Sequence, residues 1–191
     1  INSTCLEKSR ERLSTSRPGK LIKVHKFCCT ISKCKHIKKP ISRMMKPIDT
    51  SIIFAAGFGT RMHPITKDIP KPLVRIGDKT LLDHTLELAK NGNVKYFYLN
   101  THHLADQIER HVAKKNDIKL NFETPKILDT GGGLKAISYQ LNTPIIFTSN
   151  VDSIWQGSNP FNMLRENWCD KKMDCLLLLI PLKNSIGHSK L

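Results

Sequence analysis

The chain has 191 residues, of which 39% are hydrophobic, so it can bury one substantial core. Its net charge of +15 is uneven: residues 1–44 carry 12 Lys or Arg and two acids, whereas the rest is only mildly basic and needs no nucleic-acid partner to explain its charge. The six cysteines form no disulfide-like pattern, which favours a reducing, cytoplasmic compartment, and the longest apolar run, at 175–180, is too short to span a membrane.

The first 44 residues are predicted to be a basic extension, mostly without regular structure, that precedes the working domain. They are rich in Lys, Arg and Ser and show no sustained hydrophobic period. Three minor roles stay open for this extension: a zinc knuckle, an organellar transit peptide, and a nucleic-acid arm whose binding would fall steeply with salt. The working domain is predicted to span residues 45–191, and its oligomeric state is left open.

Strands and helices alternate through this working domain. Strands are predicted at residues 51–56, 94–99, 118–122, 144–148 and 173–180. Helices are predicted at residues 80–91, 104–112, 131–141 and 161–168. This order indicates an α/β fold of three α/β/α layers around a mostly parallel sheet. Ligands bind such sheets at the carboxyl ends of the strands, so Gly57, Asn100 and Asn150 are expected to share one rim.

A glycine loop follows the first predicted strand of this domain. Gly57 and Gly59 let the backbone adopt positive φ and present its N–H groups, which together form an anion-binding concavity. Arg61 adds a forked cation suited to phosphate oxygens. Ten residues further on, Lys71 lies between two prolines, which predict a stiff, extended backbone around this lysine. Together these features are typical of a polyphosphate site, although a glycine turn on a basic surface would give the same short motif.

Two later motifs lie at the boundaries of predicted elements: one precedes a predicted helix and the other follows a predicted strand. Residues 129–133, Asp-Thr-Gly-Gly-Gly, precede a helix, which suits either an anion or base site or an ordinary turn capped by Thr130. Asp152 follows a predicted strand. A carboxylate at this position suits Mg²⁺, although Asp152 could equally be a solvated loop residue.

The stretch from Ala55 to Leu73 resembles the opening signature of the sugar-1-phosphate nucleotidylyltransferases. It contains Ala55-Ala56-Gly57, then Gly59-Thr60-Arg61-Met62, and finally Pro70-Lys71-Pro72-Leu73. The resemblance implies a Rossmann-like fold of the nucleotide-diphospho-sugar transferase type, a nucleoside triphosphate, a sugar 1-phosphate and Mg²⁺. The Thr-Gly-Gly-Gly turn is more similar to the N-acetylmuramate-1-phosphate uridylyltransferases of cell-wall recycling than to the mannose-1-phosphate guanylyltransferases. UTP is therefore the favoured triphosphate, with the guanylyltransferase as the alternative.

The same resemblance assigns the site residues. Arg61 and Lys71 are implied to be catalytic, Asn150 to contact the sugar phosphate or ribose, and Asp152 to bind the metal. The nucleotide-binding residues are implied to be Ala55, Ala56, Gly57, Gly59, Thr60, Arg61, Lys71, Asn100, Gly131 and Gly132. Members of the family continue beyond the last predicted strand and carry a second metal-binding aspartate there. The chain is therefore expected to be incomplete at its C-terminus, and a nucleotide-binding remnant without turnover stays a further alternative.

Overall fold

The computed structural model describes residues 24–33 and 47–181. In chain order its strands are β1 Val24–Lys33, β2 Thr50–Phe54, β3 Arg75–Ile76, β4 Lys79–Thr80, β5 Tyr96–Thr101, β6 Ile118–Phe122, β7 Ile145–Asn150 and β8 Cys175–Pro181. Its α-helices are α1 Leu81–Asn91, α2 Ala105–Val112, α3 Asp129–Ser138 and α4 Pro160–Asn167. Three single turns of 3₁₀ helix lie between β2 and β3, at Thr60–Met62, Ile65–Lys67 and Lys71–Leu73.

Six strands form one sheet in the order β6-β5-β2-β7-β1-β8. The four strands β6, β5, β2 and β7 are parallel to one another, whereas β1 is antiparallel to β7 and to β8. The predicted α/β fold with a mostly parallel sheet is therefore confirmed. The strands β3 and β4 form a separate hairpin.

Helices cover both faces of the sheet, because alternate residues of each strand point to opposite sides. Ile53 and Leu99 belong to a core that also contains buried side chains of α1, α2 and α4. Their chain neighbours Ile52 and Tyr98 pack with Ile137 of α3 in a second, smaller core. These two cores establish the predicted three layers. None of the helices in the described part of the chain is both long and apolar enough to cross a bilayer.

Residues 24–33 differ from the sequence prediction, which gave them no regular structure. They form β1, in which Thr30 pairs with Thr148 of β7 on one side and with Leu177 of β8 on the other. Backbone pairing along both edges explains why a segment without a clear local pattern is a strand. The rest of the predicted extension lies outside the described residues, and the domain boundary at residues 44 and 45 stays a prediction.

A half-buried arginine ties α4 to two other parts of the domain. Nη2 of Arg165 donates to the carbonyl oxygens of Ile48, at 2.9 Å, and Gly92, at 2.8 Å. Its guanidinium also lies over the ring of Phe147, 5.2 Å from the centroid. Burial lowers the pKa of Arg165. The contacts hold α4 against the segment before β2 and the end of α1.

A polar cluster joins α1 to α2 on the surface. The backbone N–H of Asp83 donates to the Thr80 hydroxyl, which caps α1. The Asp83 carboxylate lies 3.0 Å from Nε2 of His111 and 3.5 Å from Nζ of Lys115. Burial alone would raise the pKa of Asp83, but the Thr80 hydroxyl, His111 and Lys115 outweigh it and lower that pKa below its usual value.

Candidate active site

The carboxyl ends of the three central strands meet at one rim. Phe54, the last residue of β2, is in register with Asn100 of β5 on one side and with Asn150 of β7 on the other. The chain leaves β2 towards β5 and later returns on the opposite side as β7. This rim is therefore a topological switch point, the place where open α/β sheets bind ligands. The expectation that the segments ending these strands share one rim is confirmed.

Two adjoining cavities, each of about 320 Å³, open at this rim. Gly57, Arg61 and Lys71 line both of them. Of the other predicted site residues, the first cavity is lined by Ala55, Ala56, Asn100, Asn150 and Asp152. The second cavity is lined by Gly59 and Thr60. One cleft with two lobes thus brings together ten of the predicted residues.

The glycine loop is held by a buried threonine. Gly59 has φ +67°, and its carbonyl oxygen accepts a hydrogen bond of 2.7 Å from the hydroxyl of Thr66, which is fully buried. The N–H of Met62 donates to the same carbonyl at 2.8 Å. Gly57 does not have positive φ, so the sequence prediction of left-handed backbone holds for Gly59 alone. Gly57 has open space where a Cβ would be.

Lys71 forms an ion pair across the cleft. Its Nζ lies 2.9 Å from Oδ2 of Asp152, and both side chains are about four-fifths buried, with relative exposures of 22% and 19%. The backbone of Pro70 is extended, as predicted, but Lys71 begins a turn of 3₁₀ helix and does not continue the extended backbone. The predicted cation and the predicted metal ligand are thus in direct contact, although 81 residues separate them.

Arg61 has a different environment from Lys71. It is exposed, and it forms no ion pair with any residue that the structure describes. Its charge is therefore available to a ligand, whereas that of Lys71 is largely offset by Asp152. The cleft also contains a second carboxylate, because Asp129 at the start of α3 lines the first cavity. Asp129, which has φ +55°, was not predicted from the sequence to be a site residue.

The glycines at 131 and 132 lie within the first turns of α3, which begins at Asp129 and not at the predicted residue 131. Neither lines either cavity, whereas Asp129 and Thr130 line the first. A Cβ on Gly132 would be 2.7 Å from Cβ of Leu128, so this glycine permits close packing at the helix start. Leu128, not Thr130, is the N-cap residue, and it has no side-chain capping bond. Nucleotide contact by Gly131 and Gly132 stays a prediction.

Asn100 lines the first cavity, but its side chain is 3% exposed and already hydrogen-bonded. Its Oδ1 accepts from the N–H of Ala55 at 2.9 Å, and its Nδ2 donates to Oε1 of Glu123 at 2.8 Å. Glu123 was not predicted from the sequence. The only signal for it was an acid placed directly after an alternating strand and two residues before Pro125.

The residues available for a metal are few. The part of the chain that the structure describes contains no group of three or more His, Cys, Asp or Glu side chains arranged around a common point. Mg²⁺, however, is commonly bound by one or two carboxylates together with substrate phosphates. Asp152 at the rim fits that mode, with the remaining ligands coming from a bound nucleotide.

The fold and the cleft define a class: an α/β domain with a cleft at its switch point, between a glycine loop and a lysine. Comparison with known proteins specifies the class further. Residues 50–143 match the family model for nucleotidyl transferases. These residues therefore form a domain of the nucleotidyl transferase type.

Two curated relatives are named as nucleotidyltransferases of sugar 1-phosphates. The chain is 33% identical over 145 residues to the N-acetylmuramate alpha-1-phosphate uridylyltransferase of Caulobacter vibrioides, an alignment that covers 72% of this chain and 60% of the relative. It is 32% identical over 127 residues to the mannose-1-phosphate guanylyltransferase catalytic subunit beta of Drosophila melanogaster, covering 63% of this chain and 34% of the relative. The chain thus spans less than two thirds of the length of these relatives.

Solved structures show the same fold. A UDP-glucose pyrophosphorylase complexed with UDP-glucose superposes with a TM-score of 0.55 at 19% identity, covering 63% of this chain and 52% of that one. A nucleotidyl transferase from Methanothermobacter superposes with a TM-score of 0.54 at 17% identity, covering 64% and 58% of the two chains. Both likenesses concern the fold, which they identify as the Rossmann-like fold of the nucleotide-sugar transferases.

Proposed function

We propose that this domain transfers a nucleotidyl group from a nucleoside triphosphate to a sugar 1-phosphate, giving a nucleoside diphosphate sugar and pyrophosphate. The observation that carries the proposal is the cleft at the switch point, where Gly57, Arg61 and Lys71 line both lobes. We assign one lobe to the nucleotide and the adjoining one to the second phosphorylated ligand. The cations lie at the boundary between the lobes, where phosphoryl chemistry between the two ligands would take place.

The reaction is an in-line displacement at the α-phosphorus. An oxygen of the sugar phosphate forms a bond to this phosphorus, and the bond to the bridging oxygen of pyrophosphate breaks. The attacking phosphate is already an anion, so no general base is required, and catalysis depends on positioning and charge neutralisation. Arg61 and the backbone N–H groups of residues 57–61 hold the triphosphate. Lys71 neutralises charge on the α-phosphate and on the incoming phosphate.

Mg²⁺ is the proposed cofactor, and Asp152 is the residue that would hold it. When bound, the ion supplies neutralisation of phosphate oxygens. Asp152 therefore has two proposed partners: Lys71 in the free protein and the cation in the nucleotide complex. Asn150, two residues earlier at the end of β7, is proposed to contact the sugar phosphate or the ribose.

The favoured substrates are UTP and N-acetylmuramate 1-phosphate, which the Thr-Gly-Gly-Gly turn and the relative from Caulobacter support. GTP with mannose 1-phosphate is the alternative, supported by the relative from Drosophila. Pyrophosphate release, measured for each triphosphate with each sugar phosphate, decides between them. Faster release with GTP and mannose 1-phosphate than with the uridine pair would overturn our preference. We also propose a cytoplasmic location, from the cysteine pattern alone.

The catalytic roles are tested by paired lysine variants. Lys71→Ala should lower the rate of pyrophosphate release by about two to three orders of magnitude, the usual cost of removing one group that stabilises transition-state charge. Lys67→Ala is the matched control, because Lys67 is exposed, four residues away, and lines neither cavity. Arg61→Ala should behave like Lys71→Ala. Equal activities of Lys71→Ala and Lys67→Ala would exclude Lys71 from charge neutralisation in the reaction.

A nucleotide-binding protein without turnover is the second candidate. The relatives are longer than this chain, so part of the acceptor site can lie outside it. Calorimetric titration separates the two cases. Nucleotide binding without pyrophosphate release, with every triphosphate and sugar phosphate offered, would support the second candidate over the first.

A further inference from the structure

A buried carboxylate lies behind the cleft and has no part in the mechanism above. Glu123 follows β6, is 1% exposed, and lines neither cavity. Burying a carboxylate is costly unless hydrogen bonds compensate for the lost water. The partners of Glu123 therefore indicate what the side chain is for.

Each carboxylate oxygen of Glu123 accepts from a different segment of the cleft wall. Oε1 accepts from Nδ2 of Asn100, at the end of β5, at 2.8 Å. Oε2 accepts from the backbone N–H of Leu128, the residue before α3, at 2.7 Å. Asn100 in turn accepts, through Oδ1, from the N–H of Ala55 at 2.9 Å. A continuous chain of three hydrogen bonds therefore runs from the segment after β2, through β5, to the start of α3.

Glu123 is itself fixed through its backbone. Its N–H donates to the carbonyl oxygen of Thr101 at 2.8 Å, and its own carbonyl oxygen lies 2.7 Å from Nδ1 of His102. The first turns of α3 pack directly on its side chain. A Cβ on Gly133 would lie 2.6 Å from Oε1 of Glu123 and 2.8 Å from Nδ2 of Asn100. The third glycine of the Gly-Gly-Gly run thus permits α3 to approach the hydrogen-bonded pair.

We propose that Glu123 is a positioning residue, which sets the distance between the glycine-loop side of the cleft and the amino end of α3. Ala55 and Asp129, at or beside the two ends of the chain of hydrogen bonds, line the first cavity, whereas Glu123 does not. Its effect on a nucleotide is therefore indirect, through the backbone of both walls. The inference rests on the proposed function in one respect, namely that the ligand of this cavity is a nucleotide.

An exchange of the two side-chain types tests the role. Glu123→Gln replaces one acceptor oxygen by a donor, which must face either the Asn100 amide or the Leu128 N–H, so one of the hydrogen bonds is lost. Asn100→Asp places two carboxylates against each other. The double variant keeps all three bonds: the new carboxylate at 100 accepts from Ala55 and from the new amide at 123, whose oxygen accepts from Leu128. Only the direction of the middle bond is reversed.

The measurement is the Kd of a nonhydrolysable UTP analogue, and of the corresponding GTP analogue, by calorimetry. Each single variant should bind roughly tenfold more weakly, the effect of one lost buried hydrogen bond. The double variant should bind more tightly than the two single effects added together would allow, because all three hydrogen bonds are kept. Glu109→Gln, an exposed glutamate on α2, is the control and should leave the Kd unchanged. Wild-type affinity in Glu123→Gln, or a double variant as weak as the sum of the singles, would overturn the proposal.

Hydrogen exchange of the free proteins supplies a readout that needs no nucleotide. Glu123→Gln should accelerate amide exchange in both residues 55–61 and residues 128–133, and the double variant should restore it. If the wild type bound no nucleotide, the proposed function would fail, yet exchange would still decide the positioning role. If the singles did not fold, a folded double variant would support the proposal, and an unfolded one would refute it.

Discussion

The sharpest structural prediction concerns Gly59, because the chain contains a matched control. Gly59 and Gly77 both have φ +67°. A Cβ on Gly59 would lie 3.1 Å from Cβ and Cγ2 of Thr66 and 3.2 Å from Cβ of Lys71. A Cβ on Gly77 would meet nothing within 4 Å. Substitution by Ala therefore imposes the same backbone conformation at both sites but a steric conflict at only one.

The two substitutions should differ in the free energy of unfolding. For Gly77→Ala we expect a loss of about 1 kcal/mol, the cost of the left-handed conformation less the entropy gained by restricting the unfolded chain. For Gly59→Ala we expect about 2–4 kcal/mol, because carbon atoms normally pack at about 3.5–4.0 Å and overpacking a filled site adds roughly 1–3 kcal/mol. Thr66 is fully buried and holds the Gly59 carbonyl, so it cannot move away without breaking that bond.

Equilibrium unfolding in urea measures both losses, and the nucleotide Kd measures the consequence for the cleft. Gly59→Ala should also weaken nucleotide binding, since the new methyl group displaces Cβ of Lys71 and with it the ammonium group. Gly77→Ala should leave nucleotide binding unchanged. Adding Thr66→Ser to Gly59→Ala removes Cγ2 but keeps the hydroxyl, and should recover part of the lost stability. Equal losses of stability in Gly59→Ala and Gly77→Ala would refute the reasoning from the contact distances.

Three further predictions follow from the contacts described above. In urea unfolding, Arg165→Met should lower the free energy of unfolding by roughly 2–3 kcal/mol, because two carbonyl oxygens lose a charged donor. The control Arg110→Met, in an exposed ion pair, should change it by less than about 0.5 kcal/mol. The lowered pKa of Asp83 contributes stability above the usual aspartate pKa of about 3.9, which is lost as pH falls through the lower, folded value. Urea midpoints between about pH 5 and pH 3 should therefore fall more for the wild type than for Asp83→Asn, and parallel curves would contradict this. Finally, Mn²⁺ binding, followed by electron paramagnetic resonance, should be weak in the free protein and tighter with a nonhydrolysable triphosphate. Without nucleotide, Lys71→Ala should bind Mn²⁺ better than the wild type does. Equal metal affinity in both proteins would show that the ion pair does not compete with the metal.

Sequence reasoning predicted the rim because the information needed for it is local. Runs of apolar residues mark β2, β5 and β7, and parallel strands place their carboxyl ends at one edge of a sheet. Phe54, Asn100 and Asn150 are in register for this reason. The same logic does not give distances across the cleft. No pattern near Lys71 or Asp152 indicates that their charged atoms lie 2.9 Å apart.

The features that were missed depend on contacts between distant segments. β1 is a strand because β7 and β8 supply partners on both sides, which no window of its own sequence reveals. Glu123 stands between an alternating strand and a Thr-Pro pair, and no pattern there indicates that it is buried. The three glycines from 131 to 133 suit either an anion or base site or an ordinary turn. The structure adds a packing reason for two of them, which no sequence pattern indicates: Gly132 fits against Leu128 and Gly133 against the Glu123–Asn100 pair.

The charge balance of the cleft links nucleotide and metal. In the free protein Lys71 and Asp152 offset each other at 2.9 Å, and Arg61 is the exposed cation of the same cleft. A triphosphate that draws Lys71 to its own oxygens would weaken the ion pair that offsets the charge of Asp152, and this would favour another cation beside that carboxylate. We therefore expect the nucleotide to increase the affinity of the proposed site for a divalent cation, and by thermodynamic reciprocity the cation to increase the affinity for the nucleotide by the same factor. One ion pair would thus couple the two ligands that the proposed reaction requires together.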